Sequence, residues 1–172
     1  IPQSVTSIAK QAFHSCTSLT EVVLPASLTA IPDGLFAKCE SLVSVTVPDS
    51  VASIGKQAFH SCAALAEITL PAGLASVGDS LFSGCTSLNQ LELEEGITVL
   101  GDYAFSHCDS LTVVTLPGSL TEIPEGLFQF SGLETVYFEK GVQVIGERAF
   151  YHCRNITSFY AYNTLTTIED YA

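Results

Sequence analysis

Cysteine and histidine are the side chains in this sequence that could hold a metal or open a nucleophilic reaction, and both recur along the chain. Cys16, Cys39, Cys62, Cys85 and Cys108 are twenty-three residues apart, and Cys153 follows after a gap. Zinc sites draw on closely spaced Cys-x-x-Cys pairs, and none occurs here. Equivalent positions on adjacent turns of a repeat could bring Cα atoms to about 5 Å, which leaves a disulfide within reach. Cys153 is the exception: Ser131 takes the intervening place and leaves it about 10 Å from Cys108, too far to bridge. A column of buried thiols serving as small hydrophobes is the favoured reading.

His14, His60, His107 and His152 each follow a recurring phenylalanine by one or two residues, on turns that alternate. Their rings should therefore stand about 10 Å apart on the outer surface, a separation that cannot chelate one ion. Glu92, Glu94 and Glu95 form the tightest carboxylate group. Calcium needs oxygen ligands converging from several turns, so the region of Glu92, Glu94 and Glu139 is where such a site would be sought, and a solvated face is the simpler account. The chain has no Gly-x-Ser-x-Gly elbow, no phosphate-binding glycine loop and no His-Glu-x-x-His segment. No catalytic residue, metal or cofactor is expected, and the chain reads as a non-enzyme. Asn155-Ile156-Thr157 fits a glycosylation sequon.

The spacing belongs to the whole chain. Phe13, Phe36, Phe59, Phe82, Phe105 and Phe128 share the interval of twenty-three, and Phe150 comes one residue early. Apolar rows keep the same register, one from Leu19 to Ile156, one from Val22 to Phe159, one from Leu24 to Ala161 and one from Ile8 to Ile168. The missing residue falls inside Phe128-Gln-Phe-Ser-Gly-Leu133, which predicts a trimmed loop. A second beat lies on the first: residues 4–16 and 50–62 agree at eleven of thirteen positions, and the residue before the phenylalanine alternates Ala12, Leu35, Ala58, Leu81, Ala104, Leu127, Ala149. Alternating small and large side chains would let stacked turns interdigitate, although a recent tandem duplication explains the beat equally well.

A period in the twenties predicts a solenoid, in which each unit buries its apolar face only against its neighbours. We read residues 1–172 as one array of about seven coils, cut from a longer protein because both ends interrupt the repeat. Leu19-Thr-Glu-Val-Val-Leu24 alternates as a short strand and stops at Pro25, as its counterparts do at Pro48, Pro71 and Pro117. Residues 27–31 read as a second extended stretch and residues 32–39 as a helical turn. Apolar residues make up 47% of the chain, yet no run approaches the ~18 residues of a membrane span.

Leu19-x-x-Val22-x-Leu24-x-x-Ser27, followed by Ser-Ile-Gly-x-x-Ala-Phe-x-x-Cys-x-x-Leu as at residues 53–65, resembles the BspA-type leucine-rich repeat. The resemblance covers the whole chain. It implies an α/β-type, right-handed solenoid with parallel strands on the concave side and short extended segments and helical turns on the convex side. It also implies an extracellular, cell-surface setting and a role in adhesion to host or neighbouring-cell proteins. Where other leucine-rich repeats carry an asparagine ladder, this chain has Ser27, Ser50, Gly73, Gly96, Ser119, Gly141 and Thr164, so the backbone there must find other partners.

Six basic against eighteen acidic residues give a net charge of −12, which repels nucleic-acid backbones and anionic membranes. A protein partner is the expectation. The outward row Val23, Thr46, Thr69, Glu92, Thr115, Tyr137, Tyr160 becomes aromatic toward its end, and Tyr137, Tyr160 and Tyr162, with Glu92, Glu94 and Glu139, form the candidate partner-binding patch. A passive spacer within a larger surface protein and a glycan-binding surface are the alternatives.

Overall fold

The computed structural model describes all residues 1–172. Twelve strands of two to four residues all pair in parallel, β1 (Glu21–Val23), β2 (Ala30–Ile31), β3 (Ser44–Thr46), β4 (Ser53–Ile54), β5 (Ser76–Val77), β6 (Val99–Leu100), β7 (Val113–Leu116), β8 (Glu122–Ile123), β9 (Thr135–Phe138), β10 (Val144–Ile145), β11 (Ser158–Tyr160) and β12 (Thr167–Ile168). They form two stacks along the solenoid. One holds β1–β3 and β7–β9–β11, with only an isolated bridge between Glu67 and Gln90 on the two coils that separate them. The other holds β2–β4–β5–β6 and β8–β10–β12.

Strand partners are twenty-three residues apart until the trimmed loop, after which Val113 pairs with Thr135 and Glu122 with Val144. The register therefore absorbs the lost residue as expected. Gly132 makes this possible, because a Cβ there would overlap the carbonyl oxygen of Asp109.

Phenylalanine builds the axis of the core. Phe13, Phe36, Phe59, Phe82, Phe105, Phe128 and Phe150 stack at centroid distances of 5.4–5.7 Å with nearly parallel planes. At that spacing each ring pair contributes about 0.5–1.5 kcal/mol beyond the area it buries. Six ring-to-ring steps make about six turns, fewer than the seven coils expected. Around the rings lies one apolar cluster containing the four anticipated rows except at their last coil, where Phe159, Ala161 and Ile168 are exposed. It also contains a fifth, Leu28, Val51, Leu74, Ile97, Leu120 and Val142, which the sequence reading passed over.

No helix is present, so the α/β description and the helical turns are corrected to a parallel β-solenoid. The reason lies in the backbone beside each phenylalanine. Residues two before and two after it are left-handed, as at Gln57 (φ 58°) and Ser61 (φ 56°), or Tyr103 (φ 57°) and His107 (φ 56°). These residues and the phenylalanine itself turn their N–H groups toward the next coil: Gln57 donates to Asp79, Phe59 to Leu81 and Ser61 to Ser83. Intervening residues close turns inside their own coil, His60 N–H on Gln57 and Cys62 N–H on Phe59. A helix would direct every N–H along its own segment. Each left-handed non-glycine residue costs about 1–2 kcal/mol, and the inter-coil hydrogen bond it gains offsets that cost.

The backbone near Ser27 finds its partners through hydroxyls. Ser27 Oγ donates to the Val5 carbonyl at 2.8 Å, Ser50 Oγ to Leu28 at 2.7 Å and Ser119 Oγ to Ile97 at 2.5 Å. The shorter side chain performs, one coil back, the task that an amide would have performed.

Candidate functional site

Alternation in the first strand stack fixes which side chains meet solvent. In β7, Val114 and Leu116 are buried while Val113 and Thr115 face out, and β9 repeats the pattern with Tyr137 outward between Val136 and Phe138. The exposed surface consists of the rows through Glu21 and Val23 and the edge position that follows each strand. At that edge Pro25, Pro71 and Pro117 are buried, whereas Glu94, Glu139 and Tyr162 are exposed. Proline folds back over the core, and its replacements project from the surface.

Tyr137 and Tyr160 come together. Register pairs them across β9 and β11, and their rings stack at 5.2 Å with planes 7° apart while remaining 44% and 56% exposed. Tyr162 lies two residues beyond Tyr160 and is exposed, without a ring contact to the pair. Glu139 is exposed just past β9. Glu92 and Glu94 stand apart from the tyrosines, with Thr115 between Glu92 and Tyr137 along the row. They border two shallow clefts, one of about 340 Å³ reaching back to Ser44, Thr46, Glu67, Thr69 and Gln90, and one of about 370 Å³ formed with Leu91, Leu93, Val113 and Thr115. Both lie where strand pairing lapses between β3 and β7. Glu92, Glu94 and Glu139 do not converge as a calcium site would require, and no three His, Cys, Asp or Glu side chains gather elsewhere.

The thiols are free and sit in a column. All but Cys16 donate to a phenylalanine carbonyl on the preceding coil: Cys39 to Phe13 at 3.0 Å, Cys62 to Phe36 at 3.2 Å, Cys85 to Phe59 at 3.1 Å, Cys108 to Phe82 at 3.4 Å and Cys153 to Phe128 at 2.9 Å. Burial pushes the Cys39, Cys62, Cys85 and Cys108 thiols up from their ordinary range, so they are held protonated. The interior cysteines thus act as donors as well as fillers.

Histidines lie on the turns. His107 and His152 sandwich Phe130, with centroids at 4.7 and 4.9 Å, and Arg154 donates to His152 Nδ1. Sequence reasoning missed this stack, although all three residues stand two positions after the recurring phenylalanine. Burial lowers the His60 imidazole, with the Lys38 charge adding to the effect. Asn155 is exposed just before β11. No helix is long and apolar enough to cross a membrane.

Comparison with known proteins places this architecture. The BspA type leucine rich repeat region matches in six copies over residues 1–81 and 53–172. A leucine-rich repeat protein from Bacteroides ovatus superposes with a TM-score of 0.94 at 35% identity, over 98% of this chain and 44% of its own. The T. pallidum leucine-rich repeat protein gives a TM-score of 0.73 at 29% identity, over 94% of this chain and 65% of its own. The chain therefore spans less than two thirds of either relative. No match is found among curated proteins. With the repeat matched from one end to the other and the same stacked coils in its relatives, the chain belongs to the BspA-type leucine-rich repeat family.

Proposed function

We propose that this chain is a non-enzymatic protein-binding module of an extracellular surface protein. Its coils wind right-handed with the first strand stack on the concave side, and it adheres to a host or neighbouring-cell surface protein. Tyr137, Tyr160 and Tyr162, with Glu92, Glu94 and Glu139, make the contact. Leucine-rich repeats commonly mediate protein interaction, and the family is the ground for the surface setting.

The observation that carries the reading is the exposed, stacked Tyr137–Tyr160 pair. Two amphipathic rings locked in register by a backbone ladder offer contact area at small entropic cost, which is what an interface anchor needs. Net charge of −12 disfavours nucleic acid and anionic membrane as partners.

The test is saturable binding of the immobilised chain to a panel of purified extracellular-matrix and cell-surface proteins, repeated with Tyr137→Ala, Tyr160→Ala and Tyr162→Ala combined. Interface hot spots of this kind cost about tenfold or more each in affinity. Binding unchanged by the triple variant removes the tyrosine patch, and no saturable binding to any member favours a passive spacer.

A further inference from the structure

The strand face carries charge of one sign. Glu21, Glu67, Glu92, Glu94, Glu134 and Glu139 are all exposed along it. Lys10, Lys38, Lys56, Lys140, Arg148 and Arg154 all lie outside the segments that build this face, residues 19–25 and their equivalents on later coils. The two sets also differ in how they are satisfied. Every ion pair is on the turn side, Lys10 with Asp33, Lys56 with Asp79 and Arg148 with Glu125 and Glu147. None of the six strand-face carboxylates accepts a hydrogen bond or a salt bridge from the protein itself.

One place on this face combines charge, concavity and an aromatic surface. Glu92 and Glu94 wall the cleft of about 370 Å³ whose other side is Val113 and Thr115. Thr115 pairs in register with Tyr137 on the next coil. Tyr137 stacks one face on Tyr160, and the short Thr115 leaves its other side without a ring partner. A cation seated over Thr115 would have carboxylates on one side and a tyrosine ring on the other. Guanidinium suits such a place better than ammonium, because it is planar, stacks on aromatic rings and pairs bidentately with carboxylates.

Resting on the reading of this face as a protein-binding surface, we infer that its partner presents a basic, arginine-bearing extended segment, one arginine of which occupies the cleft of Glu92 and Glu94 over Thr115, with Tyr137 on the next coil beside it. Charge complementarity selects the partner and speeds encounter, and the tyrosines supply the apolar anchor.

Fluorescence anisotropy with a labelled peptide alternating arginine and serine tests this, against the same peptide with lysine or glutamate in place of arginine. The arginine peptide is expected to bind one to one, more tightly than lysine, with the glutamate peptide inert. Affinity should fall about tenfold as salt rises from about 0.05 to about 0.5 M, since exposed charges are screened within a few ångströms at the upper value. Glu92→Gln with Glu94→Gln should weaken binding about fivefold, within the range of two exposed ion pairs. Tyr137→Ala should weaken it about three- to tenfold, as expected for a cation–π contact. Asp109→Asn with Asp170→Asn, removing two exposed turn carboxylates, should change it less than twofold. No saturable binding of the arginine peptide, or equal loss from the turn variant, overturns the inference. A panel protein whose binding needs the tyrosines yet ignores salt and the Glu92/Glu94 variant overturns it too, while leaving the module reading standing.

Discussion

Each interior thiol answers a carbonyl one coil away, and this decides how the cysteines behave. The phenylalanine carbonyl already closes a turn with the cysteine N–H of its own coil, as Phe59 does with Cys62 at 3.2 Å, and its second lone pair takes the Cys85 thiol. Desolvation favours the neutral thiol, so thiolate, the reactive form, is suppressed where burial is complete. Cys16 and Cys153, on the outer coils, are only half-buried. Iodoacetamide at about pH 8, close to the ordinary thiol range, is therefore expected to label Cys16 first and Cys153 more slowly, because burial raises Cys153 despite its contact with Ser131. Cys39, Cys62, Cys85 and Cys108 should react only after unfolding. Peptide mass spectrometry of the native and denatured protein reads this directly, and rapid native labelling of Cys85 would contradict the thiol column.

At the scale of the coil, two glycines show that the same residue type serves opposite needs. Gly132 lies where the trimmed loop passes against the Asp109 carbonyl, and backbone cannot yield as a flexible side chain can. Gly132→Ala should destabilise by about 1–3 kcal/mol, the usual cost of overpacking. Gly73 occupies the position where Ser50 and Ser119 send hydroxyls one coil back, has nothing within 4 Å of an added Cβ, and is not left-handed. Gly73→Ser should extend that row by donating to the Val51 carbonyl. It would gain about 0.5–1.5 kcal/mol from the hydrogen bond, with a smaller unfolded-state contribution. Denaturant midpoints should therefore move in opposite directions. A fall with Gly73→Ser would show that the hydroxyl row is incidental.

For the molecule as a whole, periodicity made the core legible because a stacked coil repeats its environment, and a residue's row then decides its burial. The row from Leu28 to Val142 escaped notice because it sits in a short connection with no alternation to mark it. The left-handed turns were illegible for a stronger reason: Gln57, Tyr103, Lys38 and Arg148 have no preference for that conformation, and only hydrogen bonds from the next coil impose it. The Tyr137–Tyr160 pair could be read from spacing alone, whereas the clefts beside Glu92 depend on a lapse in strand pairing that no residue announces. The same one-dimensional order governs stability, since each coil touches only its neighbours. Phe82 stacks on Phe59 at 5.4 Å and on Phe105 at 5.6 Å, while Phe13 is half-buried and stacks on Phe36 alone. Phe82→Ala should cost about 3–5 kcal/mol with the cavity it leaves, and Phe13→Ala about 1–2 kcal/mol for one partly buried ring. The central change also cuts the coupling between the two halves, so its urea transition should broaden or split while the Phe13 variant keeps a single one. Equal losses and equally sharp transitions in both variants would mean that the chain unfolds as one indivisible unit, and nearest-neighbour stacking would no longer account for its cohesion.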